Sequence, residues 1–192
     1  MNHTSNAGLF LLQMVFSLLI LMALLRFMFQ LMRVDYYNPI SQMVTRFTDP
    51  VLRSLRGMIP STSSVDGASL LVLFLLQYAH LFIISGIRGL NTNPLGLAIL
   101  STTEILSLVT SLLFWAILIQ AVMSWFQPHT QHPGVSLLQQ LTDPLMRPIH
   151  RFVPPTSGVD FSPIIAMLGL KMVEFILIAP LKDVAAMLLS TG

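Results

Sequence analysis

Four long apolar stretches constrain this chain more than any other feature. They cover about Leu9–Met32, Ala68–Ile87, Leu95–Phe126 and Pro163–Leu189. A helix rises 1.5 Å per residue, so about 20 apolar residues cross the core of a bilayer. Each stretch meets that length. The expected fold is therefore an all-α membrane protein with four transmembrane helices. Only 9% of the residues are charged, against about 25% in soluble domains. That excludes a soluble enzyme domain and a disordered chain. Gly, Asn and Pro in the link Arg88–Pro94 separate the second stretch from the third. Trp125 suits the membrane–water interface, and Pro180 is expected to kink the fourth helix or end its membrane part.

The first eight residues hold no Lys or Arg, Arg26 lies inside the first stretch, and no small-residue cleavage site follows. This start reads as a retained helix rather than a signal or transit peptide. There are no cysteines, so disulfides, thiolate nucleophiles, iron–sulfur clusters and Cys-type zinc sites are excluded. The formal charge is +2. Ten cations spread over a membrane chain do not make a nucleic-acid surface.

The two linkers between the spans, Arg33–Val65 and Gln127–Val159, hold most of the polar residues, and they resemble each other. Shifted by 94 positions, Thr48-Asp49-Pro50 falls on Thr142-Asp143-Pro144, Arg53 on Arg147 and Pro60 on Pro154. Thr62-Ser63 falls on Thr156-Ser157, Val65-Asp66 on Val159-Asp160, and Pro39 on Pro133. Between Val44–Asp66 and Leu138–Asp160, 9 of 23 positions are identical. The same shift maps span one onto span three and span two onto span four. We read the chain as two tandem helix–linker–helix repeats, 1–94 and 95–192, in one orientation.

Each linker carries the signature of a basic amphipathic helix. Asp49 and Asp143 suit N-caps, with Pro50 and Pro144 at the first helical position. Val51, Leu52, Leu55, Met58 and Ile59 then share one face, opposite Arg53, Ser54, Arg56 and Gly57. In the second copy Leu145, Met146, Ile149, Phe152 and Val153 oppose Arg147, His150 and Arg151. Pro60 and Pro154 are expected to stop these helices. Such a helix lies in the headgroup layer. Its arginines either anchor the fold or form a surface for anionic lipid headgroups or a partner, at roughly 1 kcal/mol per basic residue. Asp49 and Asp143 can also pair with the arginine four residues on.

Asp66 and Asp160 precede spans two and four. They read as N-caps or as an ion or proton site near the midplane. Arg26, His80, Glu104, Lys171 and Glu174 fall inside apolar stretches, where a charge costs about 2.5–3.5 kcal/mol even on a lenient scale. Arg26 is expected to snorkel to the surface. Glu104 is expected nearer the outer surface than the centre. Lys171 and Glu174 can pair at i, i+3. The alternative is a proton or cation pathway through Glu104, Glu174 and His80. No hydrolase, zinc-protease or nucleotide-binding motif occurs, and His129 and His132 lack an acidic neighbour that would make them a metal site. No metal or other cofactor is expected.

These tandem copies of T-D-P-x-x-R…P…V-D, the second reading TDPLMRPIHRFVPPTSGVDFSP, resemble the YggT family, also called YlmG. The resemblance covers nearly the whole chain. It departs from the pattern at Arg53-Ser54 against Arg147-Pro148, and at Gly67-Ala68-Ser69 against Phe161-Ser162-Pro163. The resemblance implies a small multi-pass protein of bacterial inner membranes, with relatives in chloroplast thylakoids. It also implies links to osmotic tolerance, ion uptake, cell-division gene neighbourhoods and, in chloroplasts, cytochrome assembly and nucleoid distribution. It carries over no catalytic residue.

Linker one carries Arg33, Arg46, Arg53 and Arg56, and linker two Arg147 and Arg151; the other side has Arg88 and Lys182. The positive-inside rule places both linkers in the cytoplasm and both termini outside. The expected function is non-enzymatic: a scaffold or assembly factor with a membrane-protein partner, the bilayer itself, and a second copy as candidate contacts. The competing expectation is a channel or transport component for monovalent cations under osmotic stress.

Overall fold

The computed structural model describes residues 3–56, 66–90, 93–126, 132–153 and 160–190. These form six helices and, among the described residues, no strand. Helix α1 spans His3–Leu31, α2 Pro39–Arg56, α3 Gly67–Ile87, α4 Pro94–Phe126 and α5 Pro133–Phe152. Helix α6 covers Ser162–Ser190. Helices α1, α3, α4 and α6 are long and apolar enough to cross a bilayer.

Two spans end in the same local device. After α1, Val34 N–H donates to Phe29 C=O and Arg33 N–H to Gln30 C=O. After α3, Leu90 N–H donates to Ser85 C=O and Gly89 N–H to Gly86 C=O. Both are Schellman closures, which place one residue in the left-handed region. Gly89 takes that conformation freely at φ 64°, whereas Arg33 holds it at φ 55° against its own Cβ.

The linker helices begin earlier than the Asp-Pro pairs predict. Helix α2 starts at Pro39 and runs through Pro50, and α5 starts at Pro133 and runs through Pro144 and Pro148. Asp49 and Asp143 are thus interior residues, not caps. The caps are Asn38, whose Oδ1 accepts from Ile40 N–H at 2.9 Å, and His132, whose Nδ1 accepts from Gly134 N–H at 3.1 Å. The reason lies in the packed face. Ser41, Val44, Thr45 and Leu52 are buried in one helical phase on both sides of Pro50. Pro50 and Arg46 stand on the exposed side. The carbonyl that loses its amide partner therefore faces outward, where it can be solvated. Leu52 points inward, but Val51 is 57% exposed and Phe152 87%, so the apolar faces read from sequence are only partly covered by protein. Pro60 and Pro154 lie outside the described residues, as do Met58 and Ile59.

Helix α4 is the centre of the bundle and touches α1, α3, α5 and α6. The core joins Leu24 and Met28 of α1, Leu73 of α3, Ile117 of α4 and Leu141 of α5. Helices α2 and α5 lie side by side at one end: Asn38 Nδ2 donates to Pro133 C=O at 2.7 Å, and Asp35 N–H to Gln140 Oε1 at 2.6 Å. At the opposite end α4 begins against the last turn of α6. Asn93 Nδ2 donates to Leu188 C=O at 3.3 Å, and Gly96 lies so close to Leu189 that an added Cβ would sit 2.9 Å from its Cγ.

Pro180 does not end α6. Residues Glu174–Ile178 form a π turn, in which Ala179 N–H donates to Glu174 C=O five residues back. This wider turn carries the helix past the proline, which can neither donate nor tolerate the usual carbonyl position.

Candidate functional site

The linker end presents arginines. Arg33, Arg46 and Arg151 are exposed, as are Arg53 and Arg147. Arg147 pairs with Asp143 at 2.5 Å, and Arg53 approaches Asp49 at 3.9 Å. Arg56 is the last residue of α2. Arg46, Arg53, Arg147 and Arg151 thus stand exposed on two adjacent helices at one end of the molecule, a surface suited to phosphate or carboxylate groups.

Arg26 does not snorkel. Its side chain is only 11% exposed and turns inward to α2, where Nη2 meets Asp49 Oδ1 at 3.3 Å and Nη1 donates to Thr45 Oγ1. Desolvation of a guanidinium is tolerated only with partners, and α2 supplies them. Residue 120, at the 94-residue offset from Arg26, is Gln120. Its Oε1 accepts from Thr142 Oγ1 at 2.7 Å. A charged clasp in the first half therefore stands where a neutral one stands in the second. A cavity of about 150 Å³ lies beside the clasp, lined by Met22, Arg26, Phe47, Thr48, Leu52 and Ser69 among others.

Asp66 is the N-cap of α3: its carboxylate accepts from Ala68 N–H at 3.2 Å and from Ser69 Oγ at 2.9 Å. Asp160 stands one residue outside the α6 cap position, which Phe161 occupies, and accepts from Ser162 N–H at 2.9 Å. Both carboxylates stand at helix ends, so neither is near the midplane. His150 Nε2 lies 3.0 Å from Asp160 Oδ2 and ties the end of α5 to the start of α6. Burial pushes the Asp160 carboxyl up, but the Ser162 amide and hydroxyl and the His150 ring outweigh it and hold it below the usual range. A carboxyl lowered by folding stabilises the protein above its unfolded value near 3.9, and that stabilisation is lost as pH falls through the lower folded value. Amides in the first turn of α6 should therefore exchange hydrogen faster, relative to other helix starts, as pH drops below about 4. Asp160→Asn should remove this acid dependence; a first turn that exchanges identically in both proteins would refute the assignment.

The intramembrane charges are paired. Lys182 Nζ lies 3.1 Å from Glu104 Oε1, and Lys171 Nζ 2.7 Å from Glu174 Oε2. Lys171 also sits over the Phe114 ring at 5.2 Å. His80 and Glu104 share a cavity of about 210 Å³ with Ser17 and Gln77. Gln77 is the middle residue of α3, so this cavity lies near the midplane and Glu104 is deeper than its place in the sequence predicts. Glu174 is not in this cavity. Sequence reasoning counted Lys182 with Arg88 on the outer side and did not single out Ser17; neither carries a motif, and their place beside Glu104 and His80 comes only from the meeting of the helices. Among the described residues no three His, Asp or Glu side chains could together hold a metal ion.

Comparison with known proteins is consistent throughout. The CCB3/YggT family model matches residues 5–87 and again residues 99–181. An uncharacterized protein of Pseudomonas aeruginosa is 36% identical over 185 residues, covering 95% of this chain and 94% of its own. The uncharacterized protein YggT of Escherichia coli K12 is 36% identical over 191 residues, 97% of this chain and 94% of its own. A Vibrio alginolyticus protein is 34% identical over 177 residues, 90% of this chain and 94% of its own. No solved structure matches. Two matches to one family model, relatives aligned along almost the full chain and four apolar crossings make this an integral membrane protein of the CCB3/YggT family.

Proposed function

We propose that the protein is a non-enzymatic scaffold or assembly factor of the bacterial inner membrane. It holds a membrane-protein partner, or anionic lipid headgroups, through its arginine-bearing linker end. The observation that carries this reading is the contact between α2 and α5, which gathers Arg46, Arg53, Arg147 and Arg151 at one end while the charges within the spans close into ion pairs. With the linkers rich in arginine, the positive-inside rule puts this end in the cytoplasm and both termini outside. Each basic group near an anionic surface contributes about 1 kcal/mol.

Affinity purification in mild detergent tests the reading. A partner should copurify with the native protein. Arg53, Arg56, Arg147 and Arg151 changed together to Ser should lose it while the helical content stays unchanged. If the variant retains the same partner in the same amount, the linker end is not the binding surface.

A second reading, a channel or transport component for monovalent cations, draws support from the midplane cavity that unites His80, Gln77 and Glu104. The scaffold reading expects proteoliposomes to pass no more K⁺ or Na⁺ than empty vesicles. A flux that Glu104→Gln abolishes, in a protein that still folds, would reverse the preference.

A further inference from the structure

The midplane cavity contains an unusual histidine. Its walls come from α1 (Ser17, Ile20, Leu21, Leu24), α3 (Gln77, His80) and α4 (Glu104, Leu108). The His80 ring stacks on Phe16 with centroids 5.4 Å apart. Both ring nitrogens are buried, and among the described residues no protein group bonds to either. A buried polar group that no protein group satisfies destabilises the fold unless water reaches it, and the imidazole here has two. Dry apolar cavities stay empty, but a cavity with converging polar groups takes up water. At about 210 Å³, lined by a hydroxyl, an amide, an imidazole and a carboxylate, this one has room for several water molecules.

The charges around the ring define what else it can take. On α1 the lining residues bring a hydroxyl and no titratable group; on α3, the Gln77 amide; on α4, the Glu104 carboxylate. From α6, Lys182 reaches Glu104 at 3.1 Å. With His80 neutral, the cluster of Glu104 and Lys182 carries no net charge. There is thus no surplus negative charge to hold a bare metal ion, and too few ligands to chelate one. A proton needs no ligand set: it bonds directly to a ring nitrogen of His80, and the Glu104 carboxylate in the same cavity offsets part of its charge.

We propose that this cavity is a hydrated proton-binding site at the middle of the membrane, with His80 taking the proton and Glu104 its counter-charge. A proton delivered through the cavity water adds to one ring nitrogen. The neutral imidazole becomes an imidazolium, both nitrogens then donate to water or to Glu104, and no other bond changes. Glu104 is afterwards shared between two cations, His80 and Lys182. The site does not depend on ion movement, so it stands whether the protein is a scaffold or a transporter.

Nitrogen NMR of histidine-labelled protein in lipid nanodiscs tests it. His80 is assigned by difference from His80→Gln or, should that variant not fold, in a protein with His3, His129, His132 and His150 replaced so that one histidine remains. As pH falls from 9 to 5 the His80 ring should pass from the neutral to the doubly protonated form, and its ring protons should exchange with water. Glu104→Gln should weaken proton affinity at least about tenfold, moving the midpoint down by at least one pH unit. A ring that stays neutral across this range and out of contact with water protons is a packing histidine, and overturns the proposal. An unshifted midpoint in Glu104→Gln overturns the role of the counter-charge. Absence of cation flux leaves both results standing, so this site and the transport reading fail separately.

Discussion

Asp49→Ala should lower the unfolding free energy of the detergent-solubilised protein by about 2–3 kcal/mol, because it strips the carboxylate from a guanidinium already withdrawn from water. The Arg26 side chain is 11% exposed and Asp49 24%, which keeps the expected loss below the roughly 3–5 kcal/mol of a fully buried pair that loses one partner. The exposed Arg147–Asp143 pair is the internal control. Asp143→Ala should cost under about 1 kcal/mol, as exposed i, i+4 pairs do. The double variant Arg26→Gln/Asp49→Ala should recover part of the loss, since it recreates the neutral chemistry of Gln120 in the other half. Reversible unfolding in mixed micelles reads all three. If Asp49→Ala and Asp143→Ala cost the same, the buried clasp contributes nothing special.

Leu73→Ala should cost about 2–3 kcal/mol, and Leu75→Ala two residues away close to nothing. Leu73 is fully enclosed between helices, whereas Leu75 is 49% exposed on the lipid-facing surface. In a soluble protein part of this contrast is transfer from water. In a bilayer the tails are as apolar as leucine, and what remains is the lost packing and the cavity left behind. Thermal unfolding in nanodiscs should show a clear drop in Tm for the first variant alone. Equal drops would mean that the helix faces are assigned wrongly.

That contrast also explains what could be read in advance. The four crossings were legible because lipid demands unbroken apolar runs, and α1, α3, α4 and α6 lie where those runs lie. The faces were not legible from apolar residues, because bilayer and protein interior accept the same side chains. Polar interruptions were the better guide: Gln77 and Ser69 of α3, and Ser101 and Thr103 of α4, are all buried. His80, Glu104 and Glu174 could be grouped as a candidate pathway from their polarity alone, but which of them meet depends on helices far apart in sequence: His80 and Glu104 share a cavity and Glu174 does not line it. Asp49-Pro50 misled for a specific reason. An Asp-Pro pair fits a helix start, yet Asn38-Pro39 fits one too, and the buried phase running from Ser41 to Leu52 favours the earlier start. Arg26 misled because its partners lie beyond a turn that an arginine closes in the left-handed conformation.

The close seat of Leu188 and Leu189 on the beginning of α4 bears on how the molecule is made. Helices α1, α2 and α3 can settle against one another as soon as α3 leaves the ribosome, since their mutual contacts need nothing downstream. Helix α4 has no such freedom: its first turn is clasped by residues of α6 that follow it by 95 positions. Assembly is therefore staggered, with an early half that can mature while α4 is being made and a late half that waits for the far end of α6.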